Sequence, residues 1–151
     1  MRSVAEVLPI EGIRLGLTAT DKWDAIRQCG AVLLELDAVE AGYPETMLER
    51  EKSVSTFIGE GVAIPHGTDE SRALVRNTTL GVLQFPSGVD WDGQPVTICV
   101  AIAAKGDEHV TVLSALAQIL MDPAKAEQLR TSADPEAVRT LLETIGKGIE
   151  A

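Results

Sequence analysis

The order of hydrophobic and polar positions divides the chain into helix-like ends and a strand-rich middle. After a short strand-like "IRLGL", the segment "DKWDAIRQCGAVLLELDAVEAG" puts Ile26, Cys29, Leu33 and Leu36 on one helical face, with Thr20 or Asp21 as the cap and Gly42 as the expected stop. Pro44 then opens a second, mostly polar helix, "PETMLEREKSVSTF", expected to end near Gly59 and Gly61 and to carry Arg50 outward from the surface. Three runs rich in Val, Ile and Thr follow, "GVAIPHG", "NTTLGVLQFP" and "PVTICVAIAA", divided by Pro and Gly, and these read as strands. The last is apolar throughout, as a strand covered on both faces must be, and belongs in the middle of the sheet.

Helical spacing returns in "KGDEHVTVLSALAQILMD", where Leu113, Leu116, Ala117 and Leu120 share a face, Asp107 is placed to cap the first turn and His109 falls within that turn. "PAKAEQLRTS" and "DPEAVRTLLETIG" read as two more helices, each with Pro at an early position, the second stopping at Gly146. Helices, then strands, then helices fit one layered α/β domain with a mixed sheet spanning residues 1–151, with no internal repeat or linker.

Composition narrows what such a domain can do. Hydrophobic residues make up 45% of the chain but only five are aromatic, so the core is built from Val, Leu, Ile and Ala. A formal charge of −10 argues against nucleic acid as a partner, because phosphate-backbone binding is driven by Lys and Arg displacing counterions. Cys29 and Cys99 lie in separate apolar segments without metal-ligand spacing and read as small buried hydrophobes. The N-terminus lacks the long apolar core of a signal peptide and no run is long enough to span a bilayer, so a cytoplasmic protein without membrane insertion is expected.

Chemistry concentrates on the two histidines, His66 and His109, both at junctions where a strand gives way to a loop or helix. No HExxH or Cys/His cluster supplies further ligands for a metal, no serine sits in a GxSxG elbow, and Gly59, Gly61 and Gly67 make neither a Walker loop nor a GxGxxG fingerprint. Neither metal nor cofactor is expected. A histidine can act as a nucleophile itself, carrying a phosphoryl group on one ring nitrogen while the other donates a hydrogen bond. His66 stands between rigid Pro65 and permissive Gly67, His109 stands where free helix N–H groups favour an anion, and Arg50 is a natural phosphate ligand. Ser55, Thr56 and Thr68 are further candidate donors near a phosphate, while Glu60 and Asp69 read as solvated and Arg50 could equally be a surface ion-pair partner.

Taken together, "EREKSVSTFIGEGVAIPHGT", "GVLQFPSGVDW" and "VAIAAKGDEHVTVLSALAQIL" resemble the enzyme IIA domain of the mannitol/fructose class of the phosphoenolpyruvate-dependent sugar phosphotransferase system, over roughly residues 8 to 145. The resemblance implies a three-layer α/β/α fold with a mixed β-sheet flanked by helices. It also implies a cytoplasmic phosphocarrier, which takes a phosphoryl group from the histidine phosphocarrier protein (HPr) and passes it to a cysteine of enzyme IIB. The phosphorylated histidine of the family's "PHG" motif is matched by His66, its second active-site histidine by His109, and the arginine of its "ERE" motif by Arg50. "AAKGDEH" resembles the mannitol type and "GVDWDGQPV" the fructose type, so mannitol is the expected sugar and fructose the alternative. A separate polypeptide, not the tail of a permease, is expected. The rival reading is a regulatory, nitrogen-type IIA, in which the phosphorylation state of His66 controls contact with another protein.

Overall fold

The computed structural model describes residues 7–142 except Asp107, and the side chain of His109 also lies outside the described residues. Asp21 opens helix α1 (Lys22–Glu35), its carboxylate accepting the Asp24 N–H at 2.8 Å, while Ala25, Ile26, Cys29, Val32 and Leu33 form the buried face. The helix stops well short of Gly42. Asp37 takes a φ of 57° and donates its N–H to Leu34 O, and Ala38 donates to Leu33 O, so an aspartate closes the last turn as a glycine usually does. Asp37 tolerates this left-handed conformation better than most residues, and Arg76 pairs with its carboxylate.

Helix α2 (Tyr43–Ser53) has Pro44 in its first turn, as the sequence predicts, but ends before Val54 instead of running towards Gly59. Beyond it the chain is drawn out by hydrogen bonds from Thr56 to the buried carboxylate of Glu51, and Phe57–Gly59 becomes a strand that the helical reading had absorbed. With β1 at Ile13–Arg14, this strand is β2. A tight turn with Glu60 and Gly61 at φ 53° and 74° returns it antiparallel to β3 (Val62–Ala63). The long strands β4 (Thr79–Trp91) and β5 (Gln94–Ala103) form a hairpin whose turn residues Asp92 and Gly93 both have positive φ, the geometry that matches strand twist.

The five-stranded sheet has the order β1-β4-β5-β3-β2, with β1/β4 and β3/β5 parallel and the other pairs antiparallel. β5 therefore lies centrally, as its unbroken apolar run predicts. Its residues alternate between two cores: Cys99, Ala101 and Ala103 join the cluster beneath α1 and α2, whereas Ile98, Val100 and Ile102 join the opposite one. That second cluster is closed by α3 (Glu108–Leu120), α4 (Pro123–Thr131) and α5 (Pro135–Leu141), which contribute Val112, Leu116, Leu129 and Val138. The result is the expected three layers. Asp122 and Asp134 cap α4 and α5 through side-chain bonds to N–H groups of their first turns. The expected stop at Gly146 and the expected cap at Asp107 lie outside the described residues.

Candidate active site

β3 and β5 run parallel, and past the end of β3 the chain keeps to the β5 edge. Ile102 N–H donates to Pro65 O at 3.0 Å, and His66 forms a parallel bridge to Ile102. The histidine thus stands at the carboxyl end of the central strands, where open α/β sheets form their crevices. Its half-buried imidazole turns back on its own strand exit, with Nδ1 2.7 Å from Ile64 O. A carbonyl oxygen only accepts, so Nδ1 carries the proton, and when the ring is neutral its lone pair is the one on Nε2.

The backbone behind the ring is fixed by Tyr43, which is buried against the sheet. Its hydroxyl donates to Ile102 O and accepts the Gly67 N–H, both at 2.9 Å, and thereby ties α2, β5 and the residue after His66 to one atom. Burial pushes the Tyr43 phenol up to about 12, against the opposing bond from Gly67. Tyr43, Ser71 and Arg72 line a small cavity of about 40 Å³ beside His66, together with Gly67, Thr68 and Asp69. Arg72 also pairs with Asp69 at 3.3 Å.

Arg50, expected to project outward, is half-buried and curls over the end of α2 to donate to Val54 O at 2.6 Å. It is not among the residues lining the cavity. The backbone of His109 lies in the first turn of α3, as its spacing predicts. The start of that helix is clamped by buried Thr78, whose Oγ1 accepts the Lys105 N–H at 3.1 Å and donates to Glu108 Oε1 at 2.6 Å. Of the hydroxyl candidates, Thr68 lines the cavity, whereas Thr56 donates its hydroxyl to Glu51 and Ser55 accepts the Phe57 N–H. The Thr56 hydroxyl is thus committed to a buried carboxylate and does not point to a phosphate.

Sequence reasoning passed over Tyr43, Thr78 and Glu51. Tyr43 is the chain's single tyrosine in a core otherwise poor in aromatic residues, and that was the available signal. Thr78 and Glu51 carried none, because Glu108 and Lys105, which bond Thr78, and Lys22 and Trp91, which bond Glu51, come from distant segments. Cys29 and Cys99 are both fully buried, as expected. The hydrogen bond from the Cys29 side and burial together push the Cys99 thiol up. Among the described residues no three His, Cys, Asp or Glu side chains gather where they could hold a metal ion, and no described helix is long and apolar enough to cross a membrane.

Residues 6–145 match the family described as phosphoenolpyruvate-dependent sugar phosphotransferase system, EIIA 2. A multiphosphoryl transfer protein of Escherichia coli O157:H7 is 45% identical over 89% of this chain, which covers 36% of that relative's length. The mannitol-specific phosphotransferase enzyme IIA component of Staphylococcus aureus strain MRSA252 is 36% identical over 93% of this chain and 97% of its own. Among solved structures, enzyme IIAMTL of Escherichia coli, in complex with phosphorylated enzyme IIBMTL, superposes with a TM-score of 0.82 at 35% identity, covering 87% of this chain and 94% of that one. The histidine at the carboxyl end of the central strands thus sits in a chain matched almost from end to end: the protein belongs to the EIIA 2 family of the phosphoenolpyruvate-dependent sugar phosphotransferase system.

Proposed function

We propose that this protein is a cytoplasmic phosphohistidine carrier that accepts a phosphoryl group from HPr on His66 and delivers it to a cysteine of a mannitol-class enzyme IIB. The observation that carries this reading is the 2.7 Å bond between His66 Nδ1 and Ile64 O, which presents Nε2 as the nucleophile. In the first step the Nε2 lone pair attacks the phosphorus of the donor's phosphohistidine. The donor's P–N bond breaks, and its electron pair returns to the donor imidazole. The Nδ1 proton stays in place, so the phosphorylated ring keeps its bond to Ile64. In the second step a cysteine thiolate attacks the same phosphorus and the P–Nε2 bond breaks, regenerating the neutral ring.

Phosphoryl transfer needs positioning and positive charge more than covalent machinery. His109 at the start of α3 and Arg50 at the end of α2 are assigned to that charge stabilisation, Arg50 swinging from Val54 O when a phosphoryl group arrives. Ile64, which orients the ring, also lines an apolar groove with Ile58, Leu113, Leu120 and Met121, giving a partner protein a surface to bury beside the histidine. Mannitol as the sugar is supported by the "AAKGDEH" segment and by the relative in Staphylococcus aureus, matched over nearly its whole length.

Intact mass after incubation with phosphoenolpyruvate and the two general phosphotransferase proteins tests the carrier role. The wild type should gain one acid-labile phosphate and His66→Ala none. A His66→Ala variant that still gained it would remove His66 from this role. Discharge to purified mannitol and fructose IIB domains, run side by side, tests the sugar, and preferential transfer to the fructose domain would overturn mannitol. Phosphorylation without discharge to either would favour the regulatory reading.

A further inference from the structure

The residue next to Arg50 has a different fate. Glu51 is 3% exposed, yet its carboxylate accepts four hydrogen bonds among the described residues. Oε1 accepts the Thr56 N–H at 3.0 Å and the Thr56 hydroxyl at 2.6 Å, while Oε2 accepts Trp91 Nε1 at 3.1 Å and Lys22 Nζ at 3.3 Å. Burying a carboxylate is costly unless its lone pairs are filled, and here four donors from three residues in separate segments fill them. Burial works against the Lys22 ammonium, but its bonds to Asp92 and Glu51 outweigh this and hold it above its ordinary pKa.

The Thr56 end of this arrangement leads to the active site. Thr56 O accepts the Ile64 N–H at 3.0 Å, and Ile64 O in turn accepts His66 Nδ1–H at 2.7 Å. The β2–β3 ladder pairs only Phe57 with Ala63 and Gly59 with Val62, with a register irregularity between them, so on the β2 side the Thr56–Ile64 bond is the last backbone tie before the histidine, as Pro65 O to Ile102 N–H is on the β5 side. β2 is also the edge of the sheet. The residue that orients the imidazole is therefore held on this side by Thr56, and Thr56 by Glu51.

We propose that Glu51 is a positioning residue for His66: by gripping Thr56 it fixes the Ile64 carbonyl, and that carbonyl selects the ring tautomer with its lone pair on Nε2. The effect passes through backbone geometry, since each successive bond constrains where the next residue can sit. Glu51 never touches the reacting atoms. The proposal rests on His66 as the reactive group, but the tautomer can be read without any phosphoryl donor.

The test is ring-nitrogen chemical shifts in protein labelled with 15N-histidine, unphosphorylated and near neutral pH, combined with hydrogen exchange of the Thr56 and Ile64 amides. In the wild type Nδ1 should be protonated and Nε2 not. In Glu51→Gln one of the two terminal groups becomes a donor facing the donors of Thr56, Trp91 or Lys22. Both amides should exchange at least about tenfold faster and His66 should become a mixture of tautomers. Single-turnover phosphoryl acceptance should fall on the order of tenfold to a hundredfold, the scale expected of a misplaced nucleophile. Trp91→Phe removes a different donor to Glu51 and should lower the melting temperature while leaving the His66 ring as in the wild type. A folded Glu51→Gln protein with an unchanged ring overturns the proposal, as does tautomer mixing of equal size in Trp91→Phe. If Glu51→Gln does not fold, Thr56→Val deletes only the 2.6 Å hydroxyl bond and must still shift the ring measurably; an unchanged ring there overturns the proposal too. Tautomer mixing in Glu51→Gln alongside a wild type that takes no phosphate would leave this inference standing and defeat the carrier reading.

Discussion

Gly67→Ala puts a single methyl group where the structure leaves no room, and the consequence can be worked out from the atoms it meets. The φ of Gly67 is not positive, so the obstacle is space. The new Cβ would lie 2.7 Å from Thr46 Oγ1 and 2.7 Å from Tyr43 Cε1, and closer still to Ser71 Oγ. None of these can simply turn away. Ser71 Oγ donates to Thr68 O at 2.6 Å, Thr46 Oγ1 donates to Tyr43 O at 2.7 Å, and the Tyr43 ring is fixed at its hydroxyl by Ile102 and Gly67. Overpacking of this kind costs about 1–3 kcal/mol, and displacing one hydroxyl from its acceptor adds about 1 kcal/mol. A total near 3 kcal/mol corresponds to a fall of roughly 6–12 °C in Tm for a domain of this size. Thermal denaturation followed by far-UV circular dichroism measures it. Ser71→Ala removes the closest of the three clashes, so the double variant should recover at least about 0.5 kcal/mol relative to the sum of the single effects. A Gly67→Ala protein melting within about 1 °C of the wild type, or strict additivity with Ser71→Ala, would refute this account of the packing behind His66.

Arg50→Ala and His109→Ala should each slow transfer by on the order of a hundredfold in rapid-quench measurements while leaving the transferred phosphate on His66, as expected for groups that stabilise charge without forming the bond. Tyr43→Phe leaves the Gly67 N–H and the Ile102 carbonyl without their shared partner and should destabilise the fold by about 2–4 kcal/mol in urea denaturation. The same variant tests a pH effect. A phenol raised from 10.0 to about 12 in the folded state stabilises the protein below pH 10, and that contribution is lost progressively as pH rises from about 10 towards 12. The gap between wild type and Tyr43→Phe should therefore narrow across this window in pH-dependent denaturation. Asp134→Ala should cost about 1 kcal/mol, seen as a lower urea midpoint, through loss of the carboxylate that accepts the Glu136 N–H at the start of α5.

Where pattern and chemistry are local, the chain could be read directly. The apolar run at 95–104 identifies the central strand because a strand covered on both faces has no polar side, and Pro44, Pro123 and Pro135 mark helix starts because a missing N–H costs nothing there. The misreadings arose where a distant residue decides. Nothing near Asp37 announces that it will close α1, since its left-handed turn is supported by Arg76 from across the molecule. β2 was hidden for a related reason, because Lys22 and Trp91, which hold Glu51 inside, come from distant segments. "VSTF" continues a plausible polar helix until the buried Glu51 carboxylate takes the Thr56 N–H and draws the chain away.

The site divides along the same line. His66, His109 and Arg50 could be singled out because imidazole and guanidinium groups have few uses, and one of those uses is a phosphoryl group. Proposing Nε2 of His66 as the nucleophile required the carbonyl of Ile64, an atom that every residue possesses and no side-chain pattern reveals. Tracing that carbonyl back leads through Thr56 to Glu51, a glutamate that adjoins Arg50 in sequence yet is buried in the core. In "ERE", therefore, neighbouring letters diverge: the arginine stays half-buried at the end of α2, where the proposed function gives it charge to meet, and the second glutamate goes inward to hold Thr56, in the proposed role of positioning the histidine.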